Sequence, residues 1–356
     1  VDLEGDAHRM AARKRISAKA AMGWIGGATA VLTFVFAAQQ LVGRIGGWRE
    51  HKQRIAELVA VAREQTASRH YAEAWAGLDE AARIDSSNDD IQAAREDVAM
   101  QWLRAARVRE GEQTFTELVK PLLPVLEQGA LHARGARKAD LLAHAGWADF
   151  LRWRDGAREL AVDAQYKRAL DVDPGNPFAH AMWGHWILFT GNDLEAARAH
   201  FEAALKPNRE RSYIRSLQLA ALLNLSSDQS DDELLRIANQ MRKLAEPLDA
   251  DYRNRIFGRA CLSNVTREAG WTPSTARIPA SDEIATLGWL NGADRDAYHQ
   301  DMLRFCEARV HARAGNTTKA LGLLRALATD AAGDATRERA RQAAERLGAV
   351  GTAPPR

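Results

Sequence analysis

In the centre of the chain, large and small apolar residues recur three to four positions apart, the spacing that puts side chains on one face of an α-helix. From Ala139 to Lys206 this pattern predicts two helical hairpins in succession. In the second, His180, Trp183 with Gly184, and Ile187 share a face, and Ala197, Phe201 and Ala204 share a face of the helix that follows. The hairpin before it reads Leu142, Ala145 with Gly146, then Tyr166 and Ala169, with a long turn around Arg154-Asp155-Gly156. It closes at Asp173-Pro174-Gly175-Asn176, a helix stop, because Pro cannot continue the ladder and Gly or Asn tolerates a left-handed cap. Gly or Ala lets paired helices approach closely, and the large residues fill the space beside them.

Two weaker copies flank this pair. One has Leu58, Val61, Ala62, Ala74, Leu78 and Ala81, ending at Asp85-Ser86-Ser87-Asn88, and the other has Glu307, Ala308, Ala320, Leu324 and Leu327. The order large-xx-large-Gly-xx-large, then Ala-xxx-aromatic-xx-Ala, resembles the tetratricopeptide repeat, a two-helix unit of about 34 residues. The resemblance implies an all-α fold in which the hairpins stack into a superhelical solenoid. The first helices of successive hairpins would then line a concave groove that receives a peptide or a partner's helix.

Between the copies the reading is coarser. Residues 89–128 look like a degenerate hairpin with Ile91, Ala94, Val98, Trp102 and Ala105 on its first helix and Pro121 and Pro124 bending its second. His132 to Lys138 reads as a basic connector, 209–225 as a helix, 226–231 as a loop, 232–245 and 251–263 as helices. The segment at about 270–292, with Pro273 and Pro279, reads as irregular, an insertion or lid and equally a linker, with a short helix over Glu283 to Leu290. A last hairpin spans 294–329, a capping helix 335–347 carries Thr336, Arg337, Glu338, Arg341 and Glu345 outward, and 349–356 is a tail.

The N-terminal stretch changes the picture. Residues 20–43 carry no charge and contain Trp24, Phe34 and Phe36. As a helix they would reach about 36 Å, against a hydrocarbon layer of about 30 Å. This predicts a single membrane span behind a basic tail at 1–19, with Trp24 and Trp48 as interfacial anchors and the repeat domain at 44–348. A cleaved signal peptide is the competing reading, which would release a soluble secreted repeat protein. Five basic residues precede the span and four follow it, Arg44, Arg49, Lys52 and Arg54, so the expected N-terminus is cytoplasmic. The repeats are then expected outside a bacterial plasma membrane, in the periplasm. Gly23-xxx-Gly27 offers a minority route to a homodimer.

Charge and chemistry narrow the function by what they lack. Lys plus Arg number 49 and Asp plus Glu 47, and residues 1–20 alone hold the excess, so no nucleic-acid footprint is indicated. Cys261 and Cys306 are too few for a disulfide framework and read as two buried small residues rather than a pair. No phosphate-cradling loop, His-Glu-xx-His or Gly-x-Ser-x-Gly occurs. His180, His185, His200 and His144 do not have the spacing of a zinc site, and Asp228, Asp231, Asp232 and Glu233 lack the alternation and Gly of a calcium loop. No catalytic residue, metal or cofactor is therefore assigned. An accessory subunit of an envelope enzyme stays open as an alternative.

What remains is the groove that the resemblance implies. Carried onto this chain, it presents Trp147 and Phe150 from one hairpin and His185 and Leu188 from the next, with Phe178 and Phe189 beside them. Aromatic rings suit the apolar anchors of a protein or peptide ligand. Packing between hairpins is the rival role, about equally weighted for Trp147. The lysines and asparagines that bind acidic chaperone tails in some family members are replaced here by Trp147 and His185, so that ligand class is not expected. The expected function is a membrane-anchored, non-enzymatic scaffold that docks other proteins.

Overall fold

The computed structural model describes residues 48–106, 114–191, 193–225, 228–262, 278–292 and 296–351. Among these every regular element is a helix, and the chain divides into two units, residues 1–102 and 103–356. The expected span at 20–43, with Trp24, Phe34, Phe36 and the Gly23 and Gly27 pair, lies outside the described residues. No described helix is long and apolar enough to cross a membrane.

In the first unit, α1 (Trp48–Ala67) packs on α2 (Tyr71–Ile84), and α3 (Asp89–Ala105) follows. Ile55, Leu58, Val59 and Ala62 form the buried stripe of α1, and Ala74, Leu78 and Ala81 that of α2. Val61, expected in this seam, is 50% exposed, because Ala62 already fills the inward position and its neighbour lies about 100° round the helix. Asn88 starts α3 by accepting from the amides of Asp90 and Ile91 at 3.0 and 3.2 Å. Arg95 then ties α3 to α2, pairing with Asp79 at 2.8 Å while its guanidinium lies 4.9 Å from the Trp75 ring.

The second unit begins at Leu103, in the last turn of α3, and continues with α4 (Phe115–His132), which a capping box between Thr114 and Glu117 starts and which runs through Pro121 and Pro124. The connector expected at 132–138 is only Ala133 and Arg134, because Gly135 takes a φ of +53° and turns the chain at once into α5 (Gly135–Arg154). Then come α6 (Val162–Val172), α7 (Pro177–Thr190) and α8 (Leu194–Leu205). The small residues read from the sequence sit at the tightest points between them. A Cβ added at Gly146 would stand 2.7 Å from Cε1 of buried Tyr166, and one at Gly184 3.1 Å from Cε2 of Phe201. Helices α5 and α7 pack side by side, and α7 packs in turn on α9 (Arg211–Leu223).

The next helix, α10 (Asp228–Lys243), starts four residues earlier than expected, so the acidic run falls in its first turns, where the helix dipole favours carboxylates. Those carboxylates are engaged: Asp231 takes Arg259 at 2.6 Å, and Glu233 takes Arg198 of α8 at 3.0 Å together with Arg236. Burial would push the Glu233 carboxyl up, but hydrogen bonds from Arg236 and Arg198 outweigh it and hold it below the usual range. The helix expected over 251–263 divides into α11 (Ala250–Phe257) and a π-helical turn, Gly258–Leu262.

That turn is fixed from the far side by α13 (Ala297–Arg313). Cys261 and Cys306 are not two separate buried thiols; they form a disulfide, with Cα atoms 5.7 Å apart. Arg309, fully buried beside them, donates to the carbonyls of Ala260 at 2.7 Å and Cys261 at 3.4 Å. Burial lowers its pKa to about 10, so it keeps its charge at neutral pH. Within the segment expected to be irregular, α12 (Ala280–Asn291) is a helix with Thr286, Leu287 and Leu290 buried, and it packs against α10, α11 and α13. Finally α14 (Thr317–Asp330) and α15 (Asp334–Gly351) close the unit over Ala308, Ala320, Leu324 and Leu327. The outward face of α15 carries Glu338, Arg341 and Glu345, whereas Thr336 turns inward.

These contacts set two stability expectations. Gly146→Ala forces Tyr166 to move and lowers unfolding stability by about 1–3 kcal/mol, while Gly77→Ala, with nothing within 4 Å of the added methyl, raises it by about 0.5–1 kcal/mol. Urea unfolding of both variants checks the opposite signs. The disulfide closes a loop with a sequence separation of 45, for which chain entropy gives about 4 kcal/mol as an upper figure. Unfolding with and without dithiothreitol, and with Cys306→Ser, is expected to show a loss of about 2–4 kcal/mol.

Candidate groove between successive helices

The site is held from below by one polar network. Asn176, fully buried, caps α7 by accepting from the Ala179 amide at 2.9 Å. Its own amide donates to Asp140 Oδ1 at 2.7 Å, and Asp140 Oδ2 accepts from Arg209 at 2.9 Å. Three segments, the start of α5, the start of α7 and the approach to α9, are thereby fixed through one carboxylate. His144, one turn along α5, donates Nδ1–H to the Asp140 carbonyl at 2.7 Å and meets the Phe178 ring edge-on at 4.7 Å. Burial, and next the charge of Arg104, push its pKa down to about 3.

Above this floor Trp147, Phe150, His185 and Phe189, four of the residues expected in the groove, come together, while the Phe178 ring packs on His144 and Tyr213 instead. Trp147 lies 4.8 Å from Phe150 and 5.1 Å from His185, ring centre to ring centre, and Phe150 lies 5.2 Å from Phe189. Trp153 and Trp186 extend the cluster with rings 5.0 Å apart. Most of the six are packed rather than displayed: Trp147 is 6% exposed, Phe150 1% and His185 5%, and Phe178 and Leu188 are also buried. Trp147 is further pinned by its indole N–H, which donates to the Leu103 carbonyl at 3.1 Å. Phe189 differs, at 38% exposed.

A cavity of about 230 Å³ opens beside these rings. Trp147, Phe150, His185 and Phe189 line it, whereas Phe178 and Leu188 do not. Its other walls come from residues the sequence reading did not select: Arg104 at the end of α3, Arg154 at the end of α5, Tyr213, Ser216 and Ala220 of α9, and Tyr252 and Arg255 of α11. The α9 contribution was visible in principle, because Tyr213, Ser216, Ala220 and Asn224 step three to four apart along one face. The arginines carry no such periodic signal. Arg104 lies 4.9 Å from the Phe178 ring and 5.3 Å from that of Tyr213, and it meets Glu210 at 3.4 Å. Arg154 lies 5.0 Å from Phe115 and 5.8 Å from Phe189.

The other histidines form a separate pair. His180 and His200 approach at 3.0 Å between Nδ1 atoms, with the Trp183 ring 4.7 Å from that of His200, and burial, then the His180 charge, lower the His200 pKa to about 4. Among the described residues no group of three or more His, Cys, Asp and Glu is arranged to hold a metal ion.

The depressed His144 pKa fixes a pH dependence. The unfolded imidazole protonates near pH 6.5 and the folded one only near 3, so the contribution is fully present above about pH 6.5 and is lost as pH falls from there toward 3. At pH 4.5 the loss from this residue is about 3 kcal/mol. Thermal melts at pH 7 and pH 4.5 are expected to show a drop that includes this share, and His144→Gln, which keeps a donor without the titration, is expected to make the drop smaller by about that amount while the His200 share remains.

Compared with family models, with curated proteins and with solved structures, the chain matches none.

Proposed function

We propose that this chain is a membrane-anchored helical scaffold, built from tetratricopeptide-like hairpins, that docks other proteins outside the plasma membrane and performs no catalysis. The observation that carries the docking reading is the placement of the cavity. Besides Arg104 and Ala106 at the end of α3 and Phe115 of α4, its lining comes from α5, α7, α9 and α11, which hold the first-helix places in the tetratricopeptide-like reading, and it is walled by large rings already ordered by packing. Rigid aromatic surface gives contact area without a further cost in side-chain freedom, the condition under which a few residues dominate an interface. The disulfide supports an oxidising compartment, since such bonds persist chiefly outside the cytosol. The uncharged stretch at 20–43 supports the anchor.

A photo-cross-linking amino acid placed at Phe189, the exposed ring of the groove, tests this in the native host. Tyr298, exposed and away from the cavity, is the control position. Discrete protein adducts are expected from position 189 alone, in a chain that stays with the membrane pellet after carbonate washing. No adducts at 189, or the same adducts from 298, would sink the docking reading, and release by carbonate would sink the anchor.

A further inference from the structure

Two histidines outside the groove carry a chemistry that the docking reading does not use. His180 of α7 and His200 of α8 meet across one hairpin, with Nδ1 atoms 3.0 Å apart and ring planes tilted by 49°. Neither lines the cavity, and both are half-buried, so solvent reaches the pair. No local sequence pattern marks it, because the partners stand on different helices, twenty residues apart.

The tautomers follow from the partners. A carbonyl only accepts, so the 3.0 Å bond from His180 Nε2 to the Pro174 carbonyl places a proton on Nε2 and leaves a lone pair on Nδ1. Of the two facing atoms, His200 Nδ1 is therefore the donor. Burial lowers the pKa of both rings, that of His200 to about 4, so both are neutral at pH 7. Neutral imidazole is the form that binds a metal. A ligating histidine commonly donates its other nitrogen to a backbone carbonyl, which fixes the ring, and His180 already makes that bond.

Distance selects the class of ion. Two nitrogens about 2.0 Å from one ion and 3.0 Å from each other subtend about 97° at it, nearer the right angle of a square plane than the tetrahedral angle. The ion stands about 1.3 Å off the line joining them, which the rings meet by turning about Cβ–Cγ, a broad torsion in histidine. Among the described residues no third His, Cys, Asp or Glu joins the pair, so water completes the shell. That is too few protein ligands for structural zinc and the wrong atoms for calcium or magnesium. Nitrogen ligands in a square plane favour Cu2+ or Ni2+, and Cu2+ heads the divalent affinity order.

We propose that His180 and His200 form a Cu2+ site that clamps α7 to α8, with both Nδ1 lone pairs on the ion and water in the remaining positions of the plane. On binding, the proton on His200 Nδ1 passes to water and Nε2 of the same ring takes one up, so both rings stay neutral and no electron moves. The site is separate from the cavity and stands or falls apart from the docking reading.

Titration of the full 356-residue chain, in detergent, with Cu2+ supplied as its glycine complex tests it. One equivalent is expected to bind ahead of any other, with the electron paramagnetic resonance of a square-planar ion and spin-echo modulation from two imidazoles. His200→Gln keeps an N–H for His180 Nδ1 but gives up the ligand. It is expected to keep the helical circular-dichroism signal and to bind that equivalent about tenfold or more weakly, since losing even a supporting partner of a ligand costs that much. His180→Gln is the second variant, with the same expected loss. The Trp183 ring, 4.7 Å from that of His200, gives a local signal: Trp183→Phe is expected to lose much of the fluorescence quenching that the first equivalent causes, at unchanged stoichiometry. One imidazole or none in the wild-type spectrum, unchanged affinity in both variants, or Zn2+ displacing Cu2+ at equal concentration would overturn the proposal. So would several equivalents bound with equal weak affinity, which is adventitious surface binding only.

Discussion

Everything in this architecture depends on how closely two helices of a pair can approach. Where Gly146 faces Tyr166 and Gly184 faces Phe201, the backbone of one helix lies directly against a ring of the next, with no room for a methyl group at the first position and little at the second. A fully buried ring then fills the space beside each glycine and fixes the separation of the pair. The same device uses alanine at Ala62 and Ala74 and at Ala308 and Ala320, all buried. Once the pairs are set, the position of the next first helix follows from which large residues remain to be covered. That is why Trp147, Phe150 and His185 end on one continuous wall.

A second constraint is the handling of charge. Arginine serves as a long connector here: Arg309, fully buried, runs to the carbonyls of the π-helical turn, and the partly buried Arg259 and Arg198 run to Asp231 and, across two hairpins, to Glu233. The ion pairs of Asp231 and Glu233 are costly to desolvate and add little net stability, yet losing the arginine leaves a buried carboxylate without its counter-ion. They therefore fix which helix lies against which more than they hold the helices together. Around the cavity arginine has another setting, stacked on rings beside an open volume.

Most of the helices were legible in the sequence because a 3.6-residue stripe with small residues at fixed places survives any detail of packing. Leu58, Ala74, Ala308 and Leu327 took the buried positions their spacing required. Boundaries were less legible where local signals conflicted: Pro121 and Pro124 suggested a bend in a helix that runs through both, and next to the prolines at 273 and 279 only the stretch Glu283 to Leu290 read as helix, in a segment otherwise read as irregular, of one that spans Ala280–Asn291 and buries Thr286, Leu287 and Leu290. The groove was half legible. Its aromatic wall lies on periodic faces, but Arg104, Arg154 and Arg255 come from the ends of three helices far apart in the chain, and no local pattern links them. Pairing of Cys261 with Cys306 is of the same kind, since it depends on where the π-helical turn meets α13.

That bond also alters the connectivity of the molecule. With Cys261 joined to Cys306, the polypeptide between them, including all of α12, becomes a closed ring within an otherwise linear chain. A single proteolytic cut anywhere in that ring opens it without releasing a fragment: the groove-bearing helices before it and the α14 and α15 pair after it stay covalently attached. Under oxidising conditions the one stretch of the second unit that can be severed without dividing the protein is therefore this ring.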